Sequence, residues 1–448
     1  FALSKHLKNS FIYIKIRIFM ELKWHRYNYL FEKENHYFLY NSLTNSFALL
    51  NQETYELLCD IRNGRQSMDK IEEDVLSVLH QMQAINVNEE EVVNQIRFIS
   101  QKSKFDETTL YLTLNPTLAC NFKCPYCFEH THPDIFMNDD VEESIVSFVR
   151  SKLPLRKLNV MWFGGEPLLG FKRIESLSRK LKEMVENYSA SMITNGYLLN
   201  QEIIASLEDL RIAMIQVTLD GLADTHDQKR CLKSGGPTFD KIIANIKNCL
   251  KFAPRVKIVV RVNIDRNNEE DYQKVVEYFK SNGIEGVDIV PGFIVDRDSD
   301  CPTCAFNHKQ IIKFACDLFH NNHLIPIRFF SSLSRNSCGA CNSNTFVIGP
   351  EGELYKCWEE VGRRECVVGN LRNSSGNKGH LLRYVSGIDQ FDDPECVQCG
   401  LLPVCDGGCP RVRLLYKYDG INLETCLLLY DGMEDMLYCH FLTKNSEK

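Results

Sequence analysis

Short apolar runs alternate with longer stretches in which apolar residues recur every three or four positions, and this alternation fills the middle of the chain. The runs 110–115, 158–163, 190–194, 214–219, 258–263 and 287–290 predict strands. Between them, 141–153, 174–188, 239–252 and 271–281 predict amphipathic helices. Six strands joined by such crossovers imply a parallel sheet, because each crossover returns the chain to the same end. Ahead of this block, 37–40 and 47–50 read as strands around a polar turn, with Asn51 as the cap of a helix that includes 53–58. A second helix is predicted over 68–82, burying Ile71, Val75, Leu76, Val78 and Leu79. After Pro291 the alternation stops. Cysteines and loops such as 373–377 take over, so this region is expected to have little core of its own and to depend on bound metal.

The chain has 448 residues, enough for two or three domains, and its apolar and charged fractions are those of an ordinary globular protein. A formal net charge of -7, with no block of Lys and Arg, argues against nucleic acid as the partner. The 19 cysteines cluster at metal-like spacings, unlike those of short disulfide-stapled domains, which points to a reducing cytoplasm. Residues 11–19 are apolar but contain Lys15 and Arg17 and lack a small-residue cleavage site. They are therefore read as neither a signal peptide nor a membrane span, and 1–19 as an upstream extension without assigned function.

Cys120, Cys124 and Cys127, spaced Cys-x3-Cys-x2-Cys directly after a predicted strand, suit a cubane iron–sulfur cluster with one iron left open. The alternative is a zinc knuckle, for which His130 and His132 lie just downstream, but a structural zinc site normally takes four ligands at matching spacing. Phe163-Gly164-Gly165-Glu166-Pro167 follows the second predicted strand, Thr194-Asn195-Gly196 the third, and Thr218-Leu219-Asp220-Gly221 the fourth. Glycines at 164 and 165 permit close backbone approach, and Glu166 offers a carboxylate to an ammonium. Arg261 and Asn263 alternate with Val262, so both can point to one face of their strand. A second constellation is Cys396-x2-Cys399-x5-Cys405-x3-Cys409 followed by Cys426, preceded by Cys338, Cys341 and Cys357. Cys439 is an alternative to Cys426, and Cys301 with Cys304 reads as a bystander loop. Cys59, Cys231, Cys249, Cys316 and Cys366 read as ordinary thiols.

Together these motifs resemble the radical S-adenosylmethionine (radical SAM) superfamily, and the C-terminal constellation resembles its SPASM extension. The resemblance implies an α/β fold built on a partial (β/α)6 barrel, with its chemistry at the carboxyl ends of the strands. It implies that Cys120, Cys124 and Cys127 hold a [4Fe-4S] cluster that binds S-adenosylmethionine. Tyr126, Gly164, Gly165, Glu166, Asn195, Thr218, Asp220 and Arg230 would line the site for that cofactor, with Thr218 and Arg230 on its carboxylate. Two auxiliary clusters would be held by Cys338, Cys341, Cys357 and Cys409, and by Cys396, Cys399, Cys405 and Cys426. The implied organisation is a winged-helix-like peptide-recognition domain over 20–104, the barrel over 105–295, and a bridging region with the cysteine-rich SPASM domain over 296–448. Such a protein is expected to be a cytoplasmic enzyme without nucleic-acid or membrane partners. It would take electrons from a donor such as flavodoxin or ferredoxin, and install a thioether or carbon–carbon cross-link in a ribosomally made precursor peptide. The alternatives are a peptide epimerase, a sulfatase-maturing enzyme that makes formylglycine and, in a different class, a non-catalytic zinc protein that binds a partner peptide.

Overall fold

The computed structural model describes residues 23–127, 129, 131–295, 305–333, 338–373, 375–426 and 428–446. The extension 1–19, His130, Cys301 and Cys304 lie outside the described residues.

Three antiparallel strands come first: β1 (Asn28–Lys33), β2 (His36–Asn41) and β3 (Ser46–Leu50), in the order β1-β2-β3. Asn51 caps the helix Gln52–Arg62 by accepting a hydrogen bond from Thr54 N. The predicted helix over 68–82 is broken in two. A 3-10 turn covers Met68–Lys70, Ile71 is extended, and an α-helix runs from Glu73 to Gln81. A further helix, Glu89–Lys104, is capped by Asn88 and opens on Glu89, Glu90 and Glu91, where negative charge suits the positive end of the helix dipole.

The main sheet has nine strands in the order β12-β11-β10-β4-β5-β6-β7-β8-β9. Six of them are the parallel strands that the apolar pattern predicts: β4 (Thr109–Leu114), β5 (Lys157–Trp162), β6 (Tyr188–Thr194), β7 (Ile212–Leu219), β8 (Lys257–Ile264) and β9 (Val287–Phe293). Helices Phe239–Phe252 and Asp271–Ser281 have the predicted limits, and the rest shift by a few residues at their ends. Leu110, Leu112, Leu114, Val160, Trp162, Val217, Val260 and Val262 are buried in one continuous core with the faces of these helices.

Two features depart from the expectations for the C-terminal region. First, β10 (Thr345–Ile348) pairs parallel with β4, and β11 (Glu353–Tyr355) and β12 (Gly369–Asn370) extend the sheet antiparallel from it. The cysteine-rich segment therefore contributes strands to the main sheet. Second, it does have a core, shared with the N-terminal sheet: Phe31, Phe38 and Tyr40 pack with Ile312, Phe319, Phe329, Val404, Leu429, Met436 and Leu437. The predicted loops and glycine motifs all follow the carboxyl ends of β4 to β7, so the topology gathers them at one rim of an open sheet. Among the described residues no helix is long and apolar enough to cross a membrane.

Candidate active site

After β4 the chain passes through residues 115–119 into the cysteine loop. Asn115 Nδ2 donates to Ile348 O at 2.9 Å, and Thr117 Oγ1 donates to Ile135 O at 2.7 Å, fixing the base of the loop. Its far side is tied to the segment after Arg230, through Lys123 N to Cys231 O at 3.2 Å and Lys233 N to Asn121 O at 2.9 Å. Cys120 and Cys124 are half-buried against the main core, and Cys120 Sγ accepts from Phe122 N at 3.4 Å. Burial pushes the Cys120 thiol up to about 12, with Glu166, Cys124 and Cys127 adding to the rise. Burial also raises Cys124, opposed by Arg230. Cys127 stands near these two thiols and also near Glu129 and His132, its ligand atom within 4.8 Å of theirs.

The glycine motif after β5 braces this loop. Gly164 has φ +112, and a side chain there would meet Thr117 O; a Cβ on Gly165 would lie 2.7 Å from the carbonyl carbon of Ala119. Glu166 N donates to Ala119 O at 2.8 Å. The close approach that these glycines permit is thus filled by residues 117–119 of the chain itself. The Glu166 carboxylate is fully buried and already accepts three hydrogen bonds, from Leu168 N at 3.0 Å, Thr194 Oγ1 at 2.7 Å and Asn195 N at 2.8 Å. Burial raises its pKa even so. Asn195 reaches back to the cysteine loop through Asn121 Oδ1 at 2.8 Å.

Across the rim, Arg230 Nη1 donates to Tyr126 Oη at 2.7 Å and lies 3.9 Å from Asp220 Oδ1, while its guanidinium sits 5.8 Å from the centre of the Phe122 ring. The backbone of Asp220 is held by His226 Nδ1, which accepts from its N–H at 3.3 Å, and by Asn268 Nδ2, which donates to its carbonyl at 3.0 Å. Its carboxylate is buried beside the Tyr126 hydroxyl and the Arg230 guanidinium without a well-formed hydrogen bond to either oxygen, and Arg230 Nε has no partner. Burial holds the Asp220 carboxyl above its usual range despite Arg230. Thr218, at the end of β7, is buried on the same rim. Arg261 Nε donates to Asn263 Oδ1 at 3.1 Å, and the pair lies over Gly292 on β9. The residues that sequence reasoning did not single out here are Asn121, His226 and Asn268. They hold backbone and loop rather than facing the open rim, and their motif spacing carries no signal.

The C-terminal cysteines fall into two groups. Burial raises Cys338, with Cys409 adding; it pushes Cys341 up to about 12, with Cys338 adding; and it raises Cys357, with Glu359, Glu360 and Cys409 adding. Cys338, Cys341 and Cys357 pack around Ala340, Tyr384, Ile388 and Leu414. In the second group burial pushes Cys405 up to about 11, with Cys396 and Cys399 adding, and raises Cys426, with Cys399 adding. Three sulfurs of this group accept hydrogen bonds, Cys399 from Leu401 N, Cys405 from Gly407 N and Cys396 from Arg413 Nη1, at 3.3 to 3.4 Å. Cys439 does not join either group; its partners are Cys316 and, at 3.8 Å, His320 Nε2.

These surroundings fit iron–sulfur clusters and an amino-acid-like ligand. Grouped thiols with N–H donors aimed at sulfur are what a cluster requires. An under-satisfied carboxylate beside a half-satisfied guanidinium is matched by a ligand that carries both an ammonium and a carboxylate, since buried polar groups are otherwise paired.

Residues 114–279 match the radical SAM superfamily. The chain thus carries a radical SAM domain over 114–279 and is an enzyme whose cofactors are S-adenosylmethionine and [4Fe-4S] clusters. It is 24% identical over 340 residues to a cysteine-type anaerobic sulfatase-maturating enzyme of Clostridium perfringens, covering 68% of this chain and 90% of that one. Its fold is similar to that of native anSMEcpe with bound AdoMet and the Cp18Cys peptide, with a TM-score of 0.57 and 22% identity over 76% of this chain and 100% of that one. It is also similar to Streptococcus suis SuiB bound to the precursor peptide SuiA, with a TM-score of 0.51 and 15% identity over 89% of this chain and 97% of that one.

Proposed function

We propose that this radical SAM enzyme matures a ribosomally made precursor peptide, removing a hydrogen atom from one residue and installing a thioether or carbon–carbon cross-link. The reading is carried by the N-terminal sheet placed ahead of the radical SAM domain. Its outer strand β3 is an edge, with Leu49 55% exposed, and an extended peptide can pair with such an edge. The likeness of fold to SuiB, which reaches further along this chain than the likeness to anSMEcpe, supports the same reading.

A reduced cluster with S-adenosylmethionine supplies the means of breaking an unactivated carbon–hydrogen bond. Cys120, Cys124 and Cys127 would hold that cluster. Asp220 would meet the ammonium of S-adenosylmethionine, Arg230 and Thr218 its carboxylate, and Tyr126 would orient Arg230. Gly164, Gly165 and Glu166 would hold the cysteine loop in register, and Asn195 would link it to the end of β6. Cys338, Cys341, Cys357 and Cys409, and Cys396, Cys399, Cys405 and Cys426, would hold the auxiliary clusters. A cavity of about 880 Å³ borders Cys409 and Cys426, with Phe306, Phe330 and Leu333 in its wall, and would give a peptide room beside both groups. An electron donor of the flavodoxin or ferredoxin kind is expected.

The second reading is a sulfatase-maturing enzyme, favoured by the sequence relationship to the Clostridium perfringens protein. Co-expression with a precursor encoded nearby, followed by mass spectrometry, separates the two. A loss of two hydrogens supports the cross-link, whereas conversion of a sulfatase Cys or Ser to formylglycine, with the precursor left unchanged, would replace the first reading by the second.

A further inference from the structure

Cys366, which reads from sequence as an ordinary thiol, stands in a constellation separate from the grouped cysteines. Glu360, Cys366 and His380 each present one ligand atom, and the three atoms lie within 4.8 Å of one another. Three short elements bring them together: Glu360 ends the turn that follows β11, Cys366 ends the turn Arg364–Cys366, and His380 sits in the Asn377-capped helix Lys378–Leu382. Glu360 is 3% exposed and His380 7%. Glu360 Oε1 accepts from Tyr384 Oη at 2.7 Å and lies 3.1 Å from His380 Nε2. Its second oxygen, Oε2, is buried with no partner. A buried carboxylate oxygen left bare is costly and calls for a partner such as an ordered water or an ion.

We infer that Glu360, Cys366 and His380 form a mononuclear site for a divalent transition-metal ion of zinc's class. An oxygen, a sulfur and an imidazole nitrogen are the three donor types that zinc accepts, and three protein ligands leave one position for water. Zinc bonds of about 2.0 to 2.3 Å place tetrahedral ligand atoms roughly 3.3 to 3.8 Å apart, so the three groups need to close by only about an ångström. Burial pushes the Cys366 thiol up to about 12, with Glu360 and Glu365 adding, so metal uptake displaces its proton. Arg364 and Val367, on either side of Cys366, line a neighbouring cavity of about 600 Å³. The ion would pin the hairpin of β10 and β11 to the segment 378–387, which also carries Tyr384.

The test uses the full chain, loaded anaerobically with iron and sulfide, then given zinc and washed with a mild chelator. The expected result is one zinc retained per chain, with a zinc-edge absorption spectrum showing one sulfur among lighter ligands. Cys366→Ser and the shape-conserving Glu360→Gln should each lower retained zinc about tenfold while iron and sulfide stay unchanged. Failure of the wild-type protein to retain zinc, zinc ligated by four sulfurs, or variants that retain zinc like the wild type would each overturn the assignment. Because Cys127, Glu129 and His132 present the same three donor types, the wild-type spectrum is taken on protein with its full iron content, in which the first cluster occupies Cys127.

Discussion

Gly165→Ala places one methyl group where the chain leading to Cys120 passes. The new Cβ would lie 2.7 Å from the carbonyl carbon of Ala119 and closer still to the carbonyl oxygens of Leu118 and Ala119. These are backbone atoms, so the clash is relieved only by moving the base of the cysteine loop and not by a side-chain rotation. Overpacking of this kind costs about 1–3 kcal/mol. The same movement strains the hydrogen bond from Glu166 N to Ala119 O, worth about 1 kcal/mol. The combined cost is about 2–4 kcal/mol, a large part of a domain's net stability. Because Cys120 is the next residue after Ala119, the displacement should also loosen the first cluster. The assay is urea unfolding of the anaerobically loaded enzyme, read together with its iron content. Gly64→Ala is the control: its added Cβ would meet nothing within 4 Å, so only the strain of φ +70 remains, about 1 kcal/mol. The expected outcome is a lower midpoint and the loss of one cluster's share of iron in Gly165→Ala alone. A Gly165→Ala protein as stable as the Gly64→Ala control, with its iron intact, would refute the bracing argument.

Asp220→Asn should weaken S-adenosylmethionine binding by roughly 10- to 100-fold, as expected for a charged hydrogen bond worth about 1.5–3 kcal/mol. Glu166→Gln, whose carboxylate already accepts three internal hydrogen bonds, should act mainly on stability; equilibrium dialysis beside thermal melts would expose the reverse pattern. Cys426→Ser should lose a cluster's share of iron and Cys439→Ser should not, because Cys439 faces Cys316 and His320; equal iron loss in both would undo the grouping. His226 is pushed down to about 3 by burial, with Arg230 adding, so its folded pKa lies below its ordinary 6.5. The unfolded chain then takes up the proton first, and the stability His226 contributes above pH 6.5 is lost as pH falls, by up to about 1.4 kcal/mol per unit. His226→Gln should flatten the stability profile between pH 6.5 and 5, and an unchanged slope would remove His226 as its source.

The parallel strands were legible because one face of each is buried, as in Tyr188–Thr194 and Lys257–Ile264 where every second residue is buried, and helices such as Phe239–Phe252 keep one apolar face throughout. Strands β10 to β12 were not. They span four, three and two residues, and β10 finds its partner in β4, with Val347 opposite Thr113. Pairing that distant leaves no local pattern to read. The helix predicted over 68–82 failed at Ile71, an apolar residue at helical spacing that is extended yet buried in the same core as Leu79, so its apolar character does not report the break. Within the site, the cysteine spacings and the glycine motif could be read residue by residue. The contact between Tyr126 and Arg230 spans 104 positions, and which of the two buried carboxylates is already satisfied depends on hydrogen bonds that only the fold supplies.

The shared core decides how peptide recognition should be tested. Deleting residues 1–104 would remove Phe31, Phe38 and Tyr40 from a core completed by the C-terminal helix Leu428–Ser446. Burying one such side chain contributes about 1.5–3 kcal/mol, so losing all three costs about 5–9 kcal/mol, comparable to the stability of a whole domain. Lost contacts from Asn45 Nδ2 to Ser331 O at 2.8 Å and from Lys104 Nζ to Asp389 Oδ2 at 2.8 Å would add to it. A truncated enzyme that fails to bind precursor would therefore report unfolding as readily as lost recognition. Leu49→Lys perturbs far less, because Leu49 is 55% exposed on the edge strand; it stands opposite Phe38, so the unfolding midpoint is measured alongside. A lysine on an edge strand disfavours the addition of another strand. Precursor affinity, measured anaerobically by fluorescence anisotropy, should fall severalfold while cleavage of S-adenosylmethionine without peptide and the unfolding midpoint stay at wild-type values. Unchanged affinity in Leu49→Lys would take the β3 edge out of peptide recognition, and would leave the N-terminal sheet as a packing partner of the C-terminal helix.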